Sequence, residues 1–152
     1  MANVIDIKLT KDTSHLFDIG FDESTGDFNT VSGFETSITM SLYTDKRVTK
    51  DEVQQAENRR GWLGDELFES FTHGSKLWLL DQARLNFNTR NLASTYAKNS
   101  LMWMKDDGFL KELTVKSRMT GTNVTINIDG LTIKDDLNSW SYVLWKNVEG
   151  II

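Results

Sequence analysis

The chain predicts an α+β fold. Alternating apolar residues mark strands at both ends, apolar residues at helical spacing fill the middle, and the two kinds of segment are segregated rather than interleaved. Val4 to Leu9 alternates, with Ile5, Ile7 and Leu9 assigned to an inner face. Leu16 to Phe21 repeats the pattern with Phe17, Ile19 and Phe21 inward. Asp22-Glu23-Ser24-Thr25-Gly26-Asp27 has turn chemistry, and Phe28 to Val31 returns as a short strand. These residues form an N-terminal β-meander.

Ser32 and Glu35 stand three apart, as in a capping box, and Phe34, Ile38 and Leu42 follow at helical spacing, so a helix is predicted over 33–44. Residues 45–58 hold seven charged side chains and read as an exposed loop. Glu66 to Phe71 fits a helical turn. Ser75 is the predicted N-cap of a helix running to about Arg84. Asn88 or Thr89 is the predicted cap of the next helix, with Leu92, Ala93, Tyr96, Ala97, Leu101 and Met104 on one side and Asp107-Gly108 as the stop. Strands are predicted through Leu113, Val115, Ser117 and Met119, then through Val124, Ile126 and Ile128. Asp129-Gly130 reads as a tight hairpin or a glycine bulge. In Ser139 to Lys146, Trp140, Tyr142 and Leu144 take one face and Val143 and Trp145 the other, making both faces apolar.

Length and composition bound the function. One domain of 152 residues is expected, and 39% hydrophobic with 26% charged residues is globular composition. There is no cysteine, which excludes disulfides and thiol chemistry, and no proline. No apolar run reaches the roughly 18 residues of a membrane span. The N-terminus lacks a basic and apolar leader, so a cytoplasmic site of synthesis is expected. Residues 1–76 carry net −6 and residues 77–152 net +1, with no Lys/Arg block, which disfavours nucleic-acid binding.

Few residues carry catalytic chemistry. His15 and His73 stand isolated, and no metal or cofactor motif is present. Gly74-Ser75-Lys76 lacks the earlier glycine of a phosphate loop. Asp65, Glu66 and Glu69 are spaced to share a helix face, which leaves a cell-wall glycosidase as the alternative reading. Acids at a helix start more often answer the helix dipole. The aromatics point elsewhere. Arg59-Arg60-Gly61-Trp62-Leu63-Gly64-Asp65 places two guanidinium groups beside Trp62 and Asp65, as in an ion pair stacked on an aromatic ring. The expectation is a buried network of Arg59, Arg60 and Asp65 that makes Trp62 either an internal strut or an anchor against a neighbour. Trp78 and Trp103 are expected in the core.

That block, followed by Gly74-Ser75-Lys76-Leu77-Trp78-Leu79-Leu80, resembles the baseplate protein family of Mu-like contractile-tailed phages. Members carry Arg-Arg-Gly-Trp-Trp-Gly-Asp and then Gly-Ser-Arg-Leu-Trp-Leu-Leu. Leu63 and Lys76 depart from that pattern while keeping its character. The flanks agree, including Leu42 to Arg47 and the helix closing at Asp107-Gly108. The resemblance implies a structural, non-enzymatic domain of the virion tail, a counterpart of the lysozyme-like wedge protein of T-even phages. Its implied partners are wedge subunits and the tail sheath protein, to which it offers a strand. The implied contact residues are Arg59, Arg60, Gly61, Trp62, Gly64 and Asp65, with Trp140, Tyr142, Val143 and Trp145 on the last strand. Its uncharged stretch from Ser139 to Trp145 suits strand addition.

Overall fold

The computed structural model describes residues 5–11, 17–53, 57–67, 72–81, 83–121 and 123–146. The chain divides into two compact units, residues 1–40 and residues 41–152. The strand–helix–strand order is as predicted, and among the described residues no helix is long and apolar enough to cross a membrane.

The first unit is built from six short strands: β1 (Ile5–Ile7), β2 (Leu9–Lys11), β3 (Phe17–Ile19), β4 (Phe21–Asp22), β5 (Asp27–Phe28) and β6 (Thr30–Ser32). They form three antiparallel pairs, β1 with β6, β2 with β3 and β4 with β5. Each predicted strand therefore breaks once and changes partner. The breaks at Lys8, Gly20 and Asn29 meet: Lys8 N–H donates to the Asn29 carbonyl and Asn29 N–H to the Gly20 carbonyl, both at 2.8 Å. Asp22 closes the predicted turn by accepting from the Ser24 amide and hydroxyl. The inward assignment is corrected for Ile5, Ile7, Ile19 and Phe21, whereas Leu9 and Phe17 are partly buried. Ile5, Ile7, Ile19, Phe21 and Phe28 are exposed, because pairs this narrow have too little area to cover a face.

Helix α1 (Glu35–Tyr43) follows close to its predicted span. Its Thr36 hydroxyl donates to the Ile7 carbonyl at 2.6 Å.

In the second unit, α2 (Phe87–Leu101) carries the predicted apolar side. Ala93, Ala97 and Leu101 are fully buried, as is Met104 in α3 (Trp103–Asp106). The cap of α2 is Asn86, two or three residues before the predicted Asn88 or Thr89; its side-chain oxygen accepts from the Thr89 amide at 2.9 Å. The chain then forms one antiparallel sheet in the order β7 (Leu110–Thr120), β8 (Asn123–Thr132), β9 (Leu137–Lys146). Helix α2 packs on β7 and β8. The Ser117 hydroxyl donates to the Arg90 carbonyl at 2.7 Å, tying strand to helix. Val124, Ile126 and Ile128 are buried.

Three expectations about this sheet change. Gly130 is neither hairpin nor bulge; it pairs in the ladder opposite Leu113 and Asn138, and the turn comes at Ile133–Asp136. The last strand is not apolar on both faces. Ser139 donates to Asp129 at 2.6 Å and Ser141 to Asn127 at 2.9 Å, a polar ladder on the face away from Ile126 and Ile128. The strict alternation also fails at its end. Val124 opposes Trp145 while Thr125 opposes Val143, so an extra residue at Leu144 puts Trp145 in register with Tyr142 and Trp140 rather than with Val143. The side chains of Leu144, Trp145 and Lys146 lie outside the described residues.

Candidate functional site

Residues 44–81 form a network that begins with a backbone bridge. Ser75 N–H donates to the Thr44 carbonyl at 2.8 Å and Lys46 N–H to the Ser75 carbonyl at 2.9 Å, pairing Asp45 with Ser75 in parallel. One turn on, Val48 N–H donates to the Arg59 carbonyl at 3.2 Å, and the Arg59 Nε returns a bond to the Val48 carbonyl at 2.7 Å. Val48 itself is buried, and Lys50–Glu52 forms a 3-10 turn. The exposed-loop reading of 45–58 holds for most of its described residues, with one buried valine and this bridge anchoring the charged stretch. Residues 54–56 lie outside the described residues.

Arg60 does form an ion pair on an aromatic ring, but with other partners than predicted. Its guanidinium lies 3.0 Å from the Asp45 carboxylate, 3.5 Å from that of Asp81, and 4.7 Å from the centre of the Trp78 ring. Burial outweighs the pull of Arg60 and holds the Asp81 carboxyl above its usual value. Trp78 is half-buried rather than fully in the core, and its indole N–H donates to the Lys46 carbonyl at 3.0 Å. Trp103 behaves likewise, donating to the Ser41 hydroxyl at 3.1 Å. Arg60 has a φ of 43°, a strained value that its two carboxylates and Trp78 sustain. Arg60→Ala is expected to cost about 1 kcal/mol, the worth of one partly exposed ion-pair and cation–π cluster. Urea unfolding of Arg60→Ala, Asp45→Ala and the double variant checks this; simple additivity would show the pair to be idle.

The expected grouping of Arg59 and Arg60 with Asp65 is therefore corrected. Asp65 lies on a 3-10 turn, Leu63–Leu67, and its Oδ1 accepts from the His73 amide at 2.9 Å. Its Oδ2 is buried without a hydrogen-bond partner among the described residues. The Trp62 ring meets His73 edge to face at 5.7 Å. Burial pushes the His73 imidazole below its usual value, against the opposing pull of Asp65. Gly64 has a plain steric reason. A Cβ there would lie 2.2 Å from the Trp62 ring, so only glycine lets the indole fold back over the turn. Gly61 backs onto Arg47 in the same way, with 2.7 Å between a built Cβ and the Arg47 Cβ.

Two features escaped the sequence reading. Leu63 and Leu67 are 81% and 80% exposed, and with Trp62 at 47% they make an apolar cluster on the 3-10 turn. An open cleft of 690 Å³ is lined by Arg60, Trp78, Asp81, Tyr96 and neighbours. Asp65 and Glu66 do not line it. Glu66 is exposed, 4.0 Å from Arg47. The shared helix face imagined for Asp65 and Glu69 required a helix continuing past Leu67; Glu69, with the rest of 68–71, lies outside the described residues. Ser75 accepts from the Leu77 amide at 3.2 Å, yet the helix it was predicted to open is a single 3-10 turn, Leu77–Leu80.

On the last strand, Trp140 and Tyr142 oppose Ile128 and Ile126 and are half-buried. Tyr142 meets Tyr43 edge to face at 6.3 Å, and the Tyr43 hydroxyl donates to the Val143 carbonyl at 3.4 Å. Val143 is exposed. Among the described strands, β9 is an edge strand with no neighbour on its far side.

Fold and site together define a small α+β protein that spends its polar network on shaping surface features, an exposed aromatic turn and an open sheet edge. The chain belongs to the phage protein GP46 family, whose model matches residues 34–135. It is similar to the Mu-like prophage FluMu protein gp46 of Haemophilus influenzae, 39% identical over 79 residues, which are 52% of this chain and 53% of the relative. It is also similar to the baseplate protein gp46 of Escherichia phage Mu, 32% identical over 93 residues, 60% of this chain and 63% of the relative. The matches thus span between about half and two thirds of those relatives' length. These findings bear out the Mu-like family resemblance of the two Arg, Gly and Trp blocks. The family match begins at Phe34, beyond the six short strands, and ends at Asp135, before β9.

Proposed function

We propose that the chain is a structural component of the baseplate in the contractile tail of a phage or phage-like particle. In this reading residues 1–152 act as one wedge domain without a catalytic step. The domain joins wedge subunits through the turn bearing Trp62 and lends β9 to the first ring of tail sheath. The protein assembles in the host cytoplasm and ends in the virion. Support comes from the family and from the name of the phage Mu relative, which is called a baseplate protein.

The observation that carries the strand-lending role is the edge position of β9. Its backbone offers donors and acceptors to another strand, and residues 137–145 carry no charged side chain to repel one. The Tyr43 hydroxyl on the Val143 carbonyl pins the bulged end of the strand, leaving the regular stretch before it open.

Lysines placed along that edge test the role. Leu137 and Val143 are both exposed, so Leu137→Lys/Val143→Lys leaves the core intact. Counting sheathed tails by electron microscopy is expected to show a roughly tenfold loss, equal to about 1.4 kcal/mol at the initiating contact. Circular dichroism of the purified variant should match that of the parent chain. Normal sheath on particles carrying the variant would overturn the strand-lending role.

A further inference from the structure

The cleft beside Arg60 belongs to neither the Trp62 turn nor the β9 edge. It is open and holds 690 Å³. Glu52, Arg60, Trp78 and Asp81 are among its walls, with Leu92 and Tyr96 of α2. Leu92 and Tyr96 stand one helical turn apart and are both partly buried, so α2 gives the cleft an apolar and aromatic side. All of these residues lie in the second unit.

The charges of the cleft do not balance. Glu52 is paired with the Lys76 ammonium. Arg60 serves two carboxylates: its Nη1 donates to Asp45 at 3.0 Å and stands 3.5 Å from Asp81. Three carboxylates therefore share two cations, and Asp81 has the looser contact. Burial, with the nearby Asp45 charge, holds the Asp81 carboxyl above its ordinary value against the pull of Arg60.

The kinds of occupant meet these walls differently. An apolar side chain would take water from Asp81 and return no hydrogen bond. A carboxylate or phosphate would meet the surplus negative charge. An arginine side chain answers both demands. Its hydrocarbon stem lies well on apolar walls, and its guanidinium stacks on aromatic rings while donating two parallel N–H bonds to a carboxylate.

We propose that the cleft receives an arginine side chain of a neighbouring polypeptide, with its guanidinium on Asp81 and its stem along Leu92 and Tyr96. The site does not depend on the baseplate reading, because the purified chain by itself carries every residue of it.

The purified full chain tests the chemistry. N-acetyl-arginine methylamide is titrated into it while the Trp indole N–H signals are followed by NMR, the Trp78 signal being assigned with Trp78→Phe. That N–H is held by the Lys46 carbonyl, and its ring lines the cleft, so its signal is expected to shift and saturate. The citrulline analogue has the same shape without the charge and should bind roughly tenfold more weakly or worse. Asp81→Asn should weaken the arginine probe by a similar factor, with circular dichroism and thermal midpoint near those of the parent chain. A Trp78 signal that neither probe moves, equal binding of the two probes, or undiminished binding by Asp81→Asn would each overturn the site. A free guanidinium metabolite would give the same titration as a partner's arginine. Tyr96→p-benzoylphenylalanine, irradiated in cells that make the chain with its partners, separates the two sources. It is expected to cross-link to an arginine-bearing segment of a different polypeptide, and the cross-link should be lost when that arginine is replaced by Gln. Cross-links confined to this chain, or unaffected by the arginine replacement, would overturn the polypeptide as the source.

Discussion

Gly74→Ala is expected to destabilise the chain by about 3 kcal/mol or more, combining a strained backbone with a backbone clash. Gly74 has a φ of 95°, a region that L side chains rarely adopt. A Cβ built there would lie 2.4 Å from the Thr44 carbonyl oxygen and 3.1 Å from the Lys46 nitrogen. Neither atom can retreat cheaply. The Thr44 carbonyl accepts from the Ser75 amide, and the Lys46 amide donates to the Ser75 carbonyl. That bridge holds Asp45 against Arg60 and presents the Lys46 carbonyl to the Trp78 indole. One methyl group therefore strains the connection between the two blocks that carry the family resemblance. Gly121→Ala is the matched control: its φ is 57°, and nothing lies within 4 Å of a built Cβ. It should lose only the conformational cost, about 1 kcal/mol. Urea midpoints at constant slope compare the two. Equal losses would show that the Thr44 carbonyl yields.

What the sequence allowed to be read depended on how local the physics was. Helix α2 was legible because its apolar side repeats every three to four residues, and Ala93, Ala97, Leu101 and Met104 are indeed buried. The alternation of Val124, Ile126 and Ile128 likewise identified the inner face of β8. Alternation in the first unit was equally clear and misled, because it tells which residues share a face and not whether anything covers that face. Phe21 and Phe28 are opposed in register and still exposed. The Arg block was recognised as an ion pair on an aromatic ring from its residue types. Its true partners, Asp45, Asp81 and Trp78, lie 15 to 21 positions away, where no periodicity links them to Arg60. The bulge at Leu144 shows the opposite limit: one extra residue reversed the alternation that had assigned Trp145 to the face of Val143.

Ile126→Ala is expected to cost about 2–5 kcal/mol, the loss of a buried side chain plus the cavity it leaves. Ile126 has no exposed surface and stands mid-strand in β8, opposite Ser117 of β7 and Tyr142 of β9. It lies on the face of the sheet where Ser117 bonds to the Arg90 carbonyl of α2. Asn127→Ala changes the next residue, on the opposite face, where the side chain only accepts from Ser141. Loss of that exposed hydrogen bond should cost about 1 kcal/mol or less. The contrast bears on function as well as stability. Strand β9 is held to the unit by β8, so the edge proposed to receive another strand is only as rigid as the Ile126 and Tyr142 pairing beneath it. Hydrogen exchange of β9 amides in Ile126→Ala should therefore quicken more than in Asn127→Ala, even where both variants remain folded. Equal stability and equal exchange in the two would mean that the buried face of β8 does not support the edge strand, and that α2 or Tyr43 holds β9 instead.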